Sequence, residues 1–150
     1  AISRLPAGFY HPAAKMTDES LRIWALHQYR FDEFKSHEAP LKVLCLEENL
    51  RKEVVSEVSA HFLIRDLINL PANLLGPAEI SAVMELMAKR FDAQFKAIVS
   101  DELLSEGFRA IHAVGVAAQQ APRLIHLEWG NPKFPVVLLV GKGVSFDCGG

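Results

Sequence analysis

From Glu47 to Leu70 the chain carries neither glycine nor proline, and Pro71 follows directly. Leu50, Val54, Val55, Val58, Phe62, Ile64 and Leu67 in this stretch describe one apolar face over about five or six helical turns. Pro71 ends the helix, because its ring clashes with the preceding turn and it has no N–H to donate. A helix this long, with a charged opposite face, suits a connector between two structured parts. The chain is therefore read as two regions joined by one helix.

Its 150 residues are enough to bury roughly two-thirds of the unfolded surface around a core. Half of them are apolar and 23% are charged, which excludes low-complexity, collagen-like and disulfide-scaffold classes. With 16 Lys+Arg against 18 Asp+Glu the net charge is −2. That balance makes no long-range field, so nucleic acid and anionic membrane are poor default partners. Cys45 and Cys148 cannot form a disulfide framework, and the opening residues lack a secretory pattern, so the expected location is cytoplasmic. No apolar run reaches the ~18 residues of a membrane span. None of the six histidines stands in an HExxH or zinc-ligand spacing. The chain opens without methionine and closes on Asp147-Cys148-Gly149-Gly150 just after an apolar run, and is read as a segment of a longer protein.

Before the long helix, Leu21, Trp24, Ala25 and Phe31 recur at helical spacing and predict a helix over 17–30, with Thr17 and Ser20 as capping hydroxyls. Residues 41–46 read as a short strand. After Pro71, Pro77 opens a helix lined by Ile80, Val83, Met84, Met87 and Phe91. Strands are then expected at 95–99, 111–116, 123–129 and 135–141, with a helical turn capped by Ser100 running to Glu106. Gly130-Asn131-Pro132-Lys133 is a turn signal. The run Pro135–Val140 is apolar on both alternating faces, as in a central strand covered on each side. The fold class is α/β.

Chemistry concentrates after that run, in Gly141-Lys142-Gly143-Val144-Ser145-Phe146-Asp147-Cys148-Gly149-Gly150. In open α/β sheets ligands sit beyond the carboxyl ends of strands, where this segment emerges. Glycines flank Lys142, and Asp147 lies five residues on. Three readings of the pair stand side by side: a structural salt bridge, a phosphate cradle, or two metal ligands. The phosphate cradle lacks the P-loop spacing and places a carboxylate against the anion. Metal ligation requires a neutral lysine amine, its pKa depressed by the ion and by burial.

The string GKGVSFDCGG resembles the motif G-K-G-(I/V)-(T/S)-F-D-(S/T)-G-G of the leucyl (cytosol) aminopeptidase family of two-metal exopeptidases. Arg65–Asn73 resembles that family's R-x-L-x-N-x-P-x-N signature, Ala113-Val114-Gly115 its A-V-G strand and Pro122–Trp129 its P-R-L-I-x-L-x-(Y/W) strand. Tyr29-Arg30-Phe31-Asp32 resembles the end of its amino-terminal domain. The resemblance implies an architecture of three parts. Residues 1–48 close a small amino-terminal α/β domain, 49–70 form the linker helix, and 71–150 form the first half of a mixed-sheet α/β/α catalytic domain.

It further implies that Lys142 ligates one metal through its amine and that Asp147 bridges two. The remaining ligands, a second lysine and an arginine are expected after Gly150, so no catalytic residue is assigned within this segment. The implied cofactors are two divalent ions, Zn²⁺ or Mn²⁺ with Mg²⁺ or Co²⁺ as further candidates. They would activate a bridging water, anchor the peptide's free amine and polarise the scissile carbonyl. The implied substrates are peptides with leucine-like or other neutral amino-terminal residues, and the implied assembly is a homo-oligomer, a hexamer. The segment alone is expected to be inactive. The alternative is a catalytically inactive binding or structural module of the same family, acting on DNA or protein. A third option, a nucleotide-binding domain using Lys142, predicts stabilisation by ATP and none by metal.

Other residues receive structural assignments. Asn69 and Asn73 are expected to hold their loop through side-chain-to-backbone bonds. His126 is expected to face inward or toward a helix. Trp129 and Phe134 are assigned to core or subunit contact, Met84 and Met87 to helix packing, and Cys148 to packing beside the site.

Overall fold

The computed structural model describes residues 2–12, 16–35 and 41–145. It forms two compact units, 1–70 and 71–150. Both combine helices with a two-stranded sheet, and the chain is α/β.

In the first unit a short 3₁₀ turn, Ile2–Arg4, precedes β1 (Gly8–Tyr10), α1 (Asp18–Leu26), β2 (Lys42–Leu44) and α2 (Glu48–Asn69). The two strands run parallel, Gly8 opposite Lys42 and Tyr10 opposite Leu44. Helix α1 starts where its hydroxyls predict: Thr17 Oγ1 accepts the Ser20 N–H at 3.2 Å, satisfying one of the orphan donors of the first turn. It ends at Leu26, short of the expected residue 30. Helix α2 is about 33 Å long for its 22 residues. It stops where the sequence requires, since Leu70 takes an extended conformation (φ −73°, ψ 134°), as a residue before proline must.

Of the α2 face read from the sequence, Val54 and Val58 are buried and Phe62 and Leu67 half-buried, whereas Val55 and Ile64 are exposed and do not belong to the buried face. Val54 and Val58 close with Leu21 of α1 into the core of this unit, and Met16, Ala25, Leu44, Leu46 and Phe62 pack around them. Much of α2 thus packs against α1. Leu21 is 1% exposed, a burial that stabilises by roughly 1.5–3 kcal/mol. Arg22 Nε donates to Glu57 Oε2 at 2.6 Å across the same helix pair.

The second unit contains α3 (Pro77–Phe91), β3 (Gln94–Val99), α4 (Glu102–Ser105), α5 (Arg109–Gly115) and β4 (Arg123–Glu128). Strands β3 and β4 pair antiparallel, Gln94 opposite Glu128 and Val99 opposite Arg123. Helix α3 lies against both strands, α4 against β3 and α5 against β4. Among the described residues of this unit, Ala88, Ile98 and Leu103 are the buried apolar ones.

The start of α3 is assembled from distant parts. Gly76 is the N-cap and has no side-chain acceptor, so Gln120 Oε1 supplies one, taking the Ala78 N–H at 3.0 Å. Glu79 Oε2 accepts from the Gly76 N–H and from Gln120 Nε2, both at 2.9 Å. A Cβ at Gly76 would stand 2.3 Å from Gln120 Oε1, so glycine here makes room for a carboxamide. At the other end Asp92 takes φ 53°, a left-handed helix stop that aspartate tolerates.

Three expectations are corrected. Residues 111–116 lie mostly in helix α5 and not in a strand. Ala110, Ile111 and Val114 fit helical spacing as well as an alternating one, and so short a window cannot separate the periods. Gly115 lets the end of α5 approach Pro122, whose Cβ would be 2.5 Å from an added Cβ. Ser100 does not cap α4: it takes φ 55°, and Asp101 is the N-cap, without a side-chain bond. Residues 135–141 form no strand among the described residues, and Val136–Val140 are 78–89% exposed. An apolar run signals that it can be buried on two faces, but pairing is made by neighbours, and the described residues supply none here.

The turn before that run forms as expected. Gly130 takes φ 106°, and Asn131 Oδ1 accepts the Lys133 N–H at 3.0 Å in an Asx turn. Among the described residues no helix is long and apolar enough to cross a membrane.

Candidate functional site

Lys142 sits in a solvent-exposed stretch without regular secondary structure, between Gly141 and Gly143. Neither glycine takes positive φ, and an added Cβ at either would meet nothing within 4 Å. Within the described residues, then, backbone strain and crowding give no reason for glycine at these two positions. Asp147 and Cys148, with Phe146, Gly149 and Gly150, lie outside the described residues. The convergence of Lys142 and Asp147 therefore has no geometry in this structure. Among the described residues no three His, Cys, Asp or Glu side chains gather where they could hold a metal ion.

The Arg65–Asn73 signature does have a visible structural role, and it is centred on Tyr29. The Tyr29 hydroxyl donates to Asp66 Oδ1 at 2.9 Å and accepts from Asn69 Nδ2 at 2.9 Å. The Arg65 guanidinium lies over the Tyr29 ring, 5.2 Å from its centroid, and Nη1 reaches the Leu26 carbonyl at 3.4 Å, near the C-terminal end of α1. Phe62 meets the same ring edge-on at 5.2 Å. One face of α2 thus grips the segment that leaves α1. Burial and the bond to Asp66 raise the Tyr29 phenol above its ordinary 10.0, against the opposing pull of Asn69 and Arg65.

Asn69 is therefore held differently from the expectation. Its partner is a hydroxyl forty residues away in sequence, not the backbone of its own loop. That loop closes through its backbone, with the N–H groups of Leu74 and Leu75 both donating to the Pro71 carbonyl at 2.9 and 3.0 Å. Beside Tyr29 an open groove of about 310 Å³ is lined by Phe62, Leu41, Arg30, Asp32 and Asp66 among others. All its lining residues belong to the first unit, and Lys142 is not one of them.

In the second unit the Gln120–Glu79 junction was not legible in sequence, because its members are far apart and carry no motif. Bonds from Gln120 and from the backbone hold the Glu79 carboxyl below its ordinary 4.5, and nearby Arg123 adds to the effect. Arg123 Nε itself is buried with no hydrogen-bond partner among the described residues.

His126 faces outward and not inward. It alternates with the half-buried Ile125 and Leu127 along β4, and its Nε2 lies 3.4 Å from Glu128 Oε1. Trp129 and Phe134 are 74% and 69% exposed and do not belong to the core of this chain. Trp129 Nε1 instead donates to the Phe91 carbonyl at 3.0 Å, satisfying an orphan acceptor at the end of α3. Met84 and Met87 are half-buried on α3, as helix packing requires.

Comparison with known proteins adds what the geometry lacks. Residues 62–150 match the model of the cytosol aminopeptidase family, catalytic domain. The chain is 32% identical to a probable cytosol aminopeptidase of Chelativorans sp., over 83% of this chain and 28% of that protein. It is also 32% identical to one of Alkalilimnicola ehrlichii, over 96% of this chain and 34% of that protein. The crystal structure of the cytosol aminopeptidase from Coxiella burnetii superposes with a TM-score of 0.83 at 35% identity, covering 89% of this chain and 30% of that one. The bottromycin maturation enzyme BotP, solved in complex with Mn, shares the fold with a TM-score of 0.65 at 24% identity, over 77% of this chain and 25% of its own. The chain spans about a third of the length of the curated relatives it matches. With the family model matching more than half of its residues, the chain belongs to the cytosol aminopeptidase family.

Proposed function

We propose that the full-length protein is a metal-dependent aminopeptidase that releases leucine-like and other neutral amino-terminal residues from peptides, with Lys142 and Asp147 among its metal ligands. The observation that carries this reading is the string GKGVSFDCGG at 141–150, which lies within the span matched by the catalytic-domain model. Its lysine and aspartate stand at the positions the family motif gives to metal ligands.

The donor chemistry fits a divalent ion. A carboxylate is a hard ligand, and an amine coordinates once it is neutral, so Zn²⁺, Mn²⁺, Co²⁺ and Mg²⁺ all suit the pair. The manganese in the complex of the bottromycin maturation enzyme supports the same class of ion. Of the two ligands, Lys142 alone lies within the described residues, and the open space around Gly141 and Gly143 leaves its backbone approachable from either side. A pair of such ions, when bound, supplies an activated water and a polarised carbonyl. The chain's own part is to present an amine and a carboxylate from one short segment.

The same reading assigns 1–48 to the end of an amino-terminal domain, 49–70 to the linker helix and 71–150 to the first half of the catalytic domain. The start of the family match at residue 62, within α2, supports a boundary near the end of that helix. A cytoplasmic homo-oligomer, hexameric in the family's manner, completes the proposal.

The test is Asp147→Ala in the full-length protein, with leucine p-nitroanilide turnover and metal content measured together. Hydrolysis is expected to fall to background and bound metal to drop below two ions per chain. Two stoichiometric metals retained by the variant would overturn the assignment.

A further inference from the structure

We draw no further inference here: the strongest candidate, the exposed apolar run Val136–Val140 that follows β4 and its turn, is 78–89% open to solvent, and nothing in the structure shows what covers it.

Discussion

Replacing Gly76 with alanine should destabilise the second unit through a residue that is distant in sequence. The φ −97° and ψ −172° of Gly76 are open to alanine, so backbone strain contributes nothing. The added Cβ instead lands 2.3 Å from Gln120 Oε1 and 2.6 Å from its carboxamide carbon. A glutamine tip can swing aside, so the cost is set by the bonds it leaves. These are the Ala78 N–H to Gln120 Oε1 and the Gln120 Nε2 to Glu79 Oε2. At about 1 kcal/mol each, Gly76→Ala should cost about 2 kcal/mol, and Gln120→Ala about the same. Because both substitutions break the same two bonds, the double variant should cost about 2–3 kcal/mol and not about 4. Urea unfolding followed by circular dichroism reads this as a shift of roughly 1 M in midpoint for either single variant at unchanged slope. Strict additivity of the two substitutions, or a Gly76→Ala cost below about 0.5 kcal/mol, would refute the reasoning.

Tyr29→Phe removes the donor to Asp66 and the acceptor of Asn69 while keeping the ring against Phe62 and Arg65, and should lower the urea midpoint in the same titration. The raised Tyr29 phenol also sets a sign: its contribution is fully present below pH 10.0 and is lost as pH rises through the higher folded value, so Tyr29→Phe should flatten the alkaline limb of stability. For Glu79 the sign is opposite. Its carboxyl is held below 4.5, so its contribution is present above that pH and is lost as pH falls through the lower folded value, and Glu79→Gln should flatten the acid limb below about pH 4.5. The chain of residues 1–150 by itself is expected to give no turnover of leucine p-nitroanilide with added Mn²⁺, because the proposed site draws only Lys142 and Asp147 from these residues. Measurable hydrolysis would contradict that.

How much was legible in advance varied with the range of the forces involved. Helix α2 could be read almost to the residue: the absence of Gly and Pro, the single apolar face and Pro71 all act within a turn or two of the chain. The Thr17 cap and the Gly130–Asn131 turn were legible for the same reason. Residues 111–116 were misread because six residues of mixed apolar content satisfy a strand and a helix equally, and packing against α4 and β4 made the choice. At the candidate site, Lys142 and Asp147 were legible only through the motif that contains them. Spacing alone left a salt bridge, a phosphate cradle and a metal site all open.

The sequence by itself determined the family and the positions of the long helices, because motif residues and periodicity are properties of neighbours along the chain. The tertiary structure alone decided that Arg65, Asp66 and Asn69 would close around the ring and hydroxyl of Tyr29. It decided likewise that Gln120 would cap the helix that Gly76 begins, and that His126 would face out. Each of these joins groups that nothing in the local chain brings together. Such pairings exist only once burial of Leu21, Val54 and Val58 in one unit, and of Ala88, Ile98 and Leu103 in the other, has set the elements side by side.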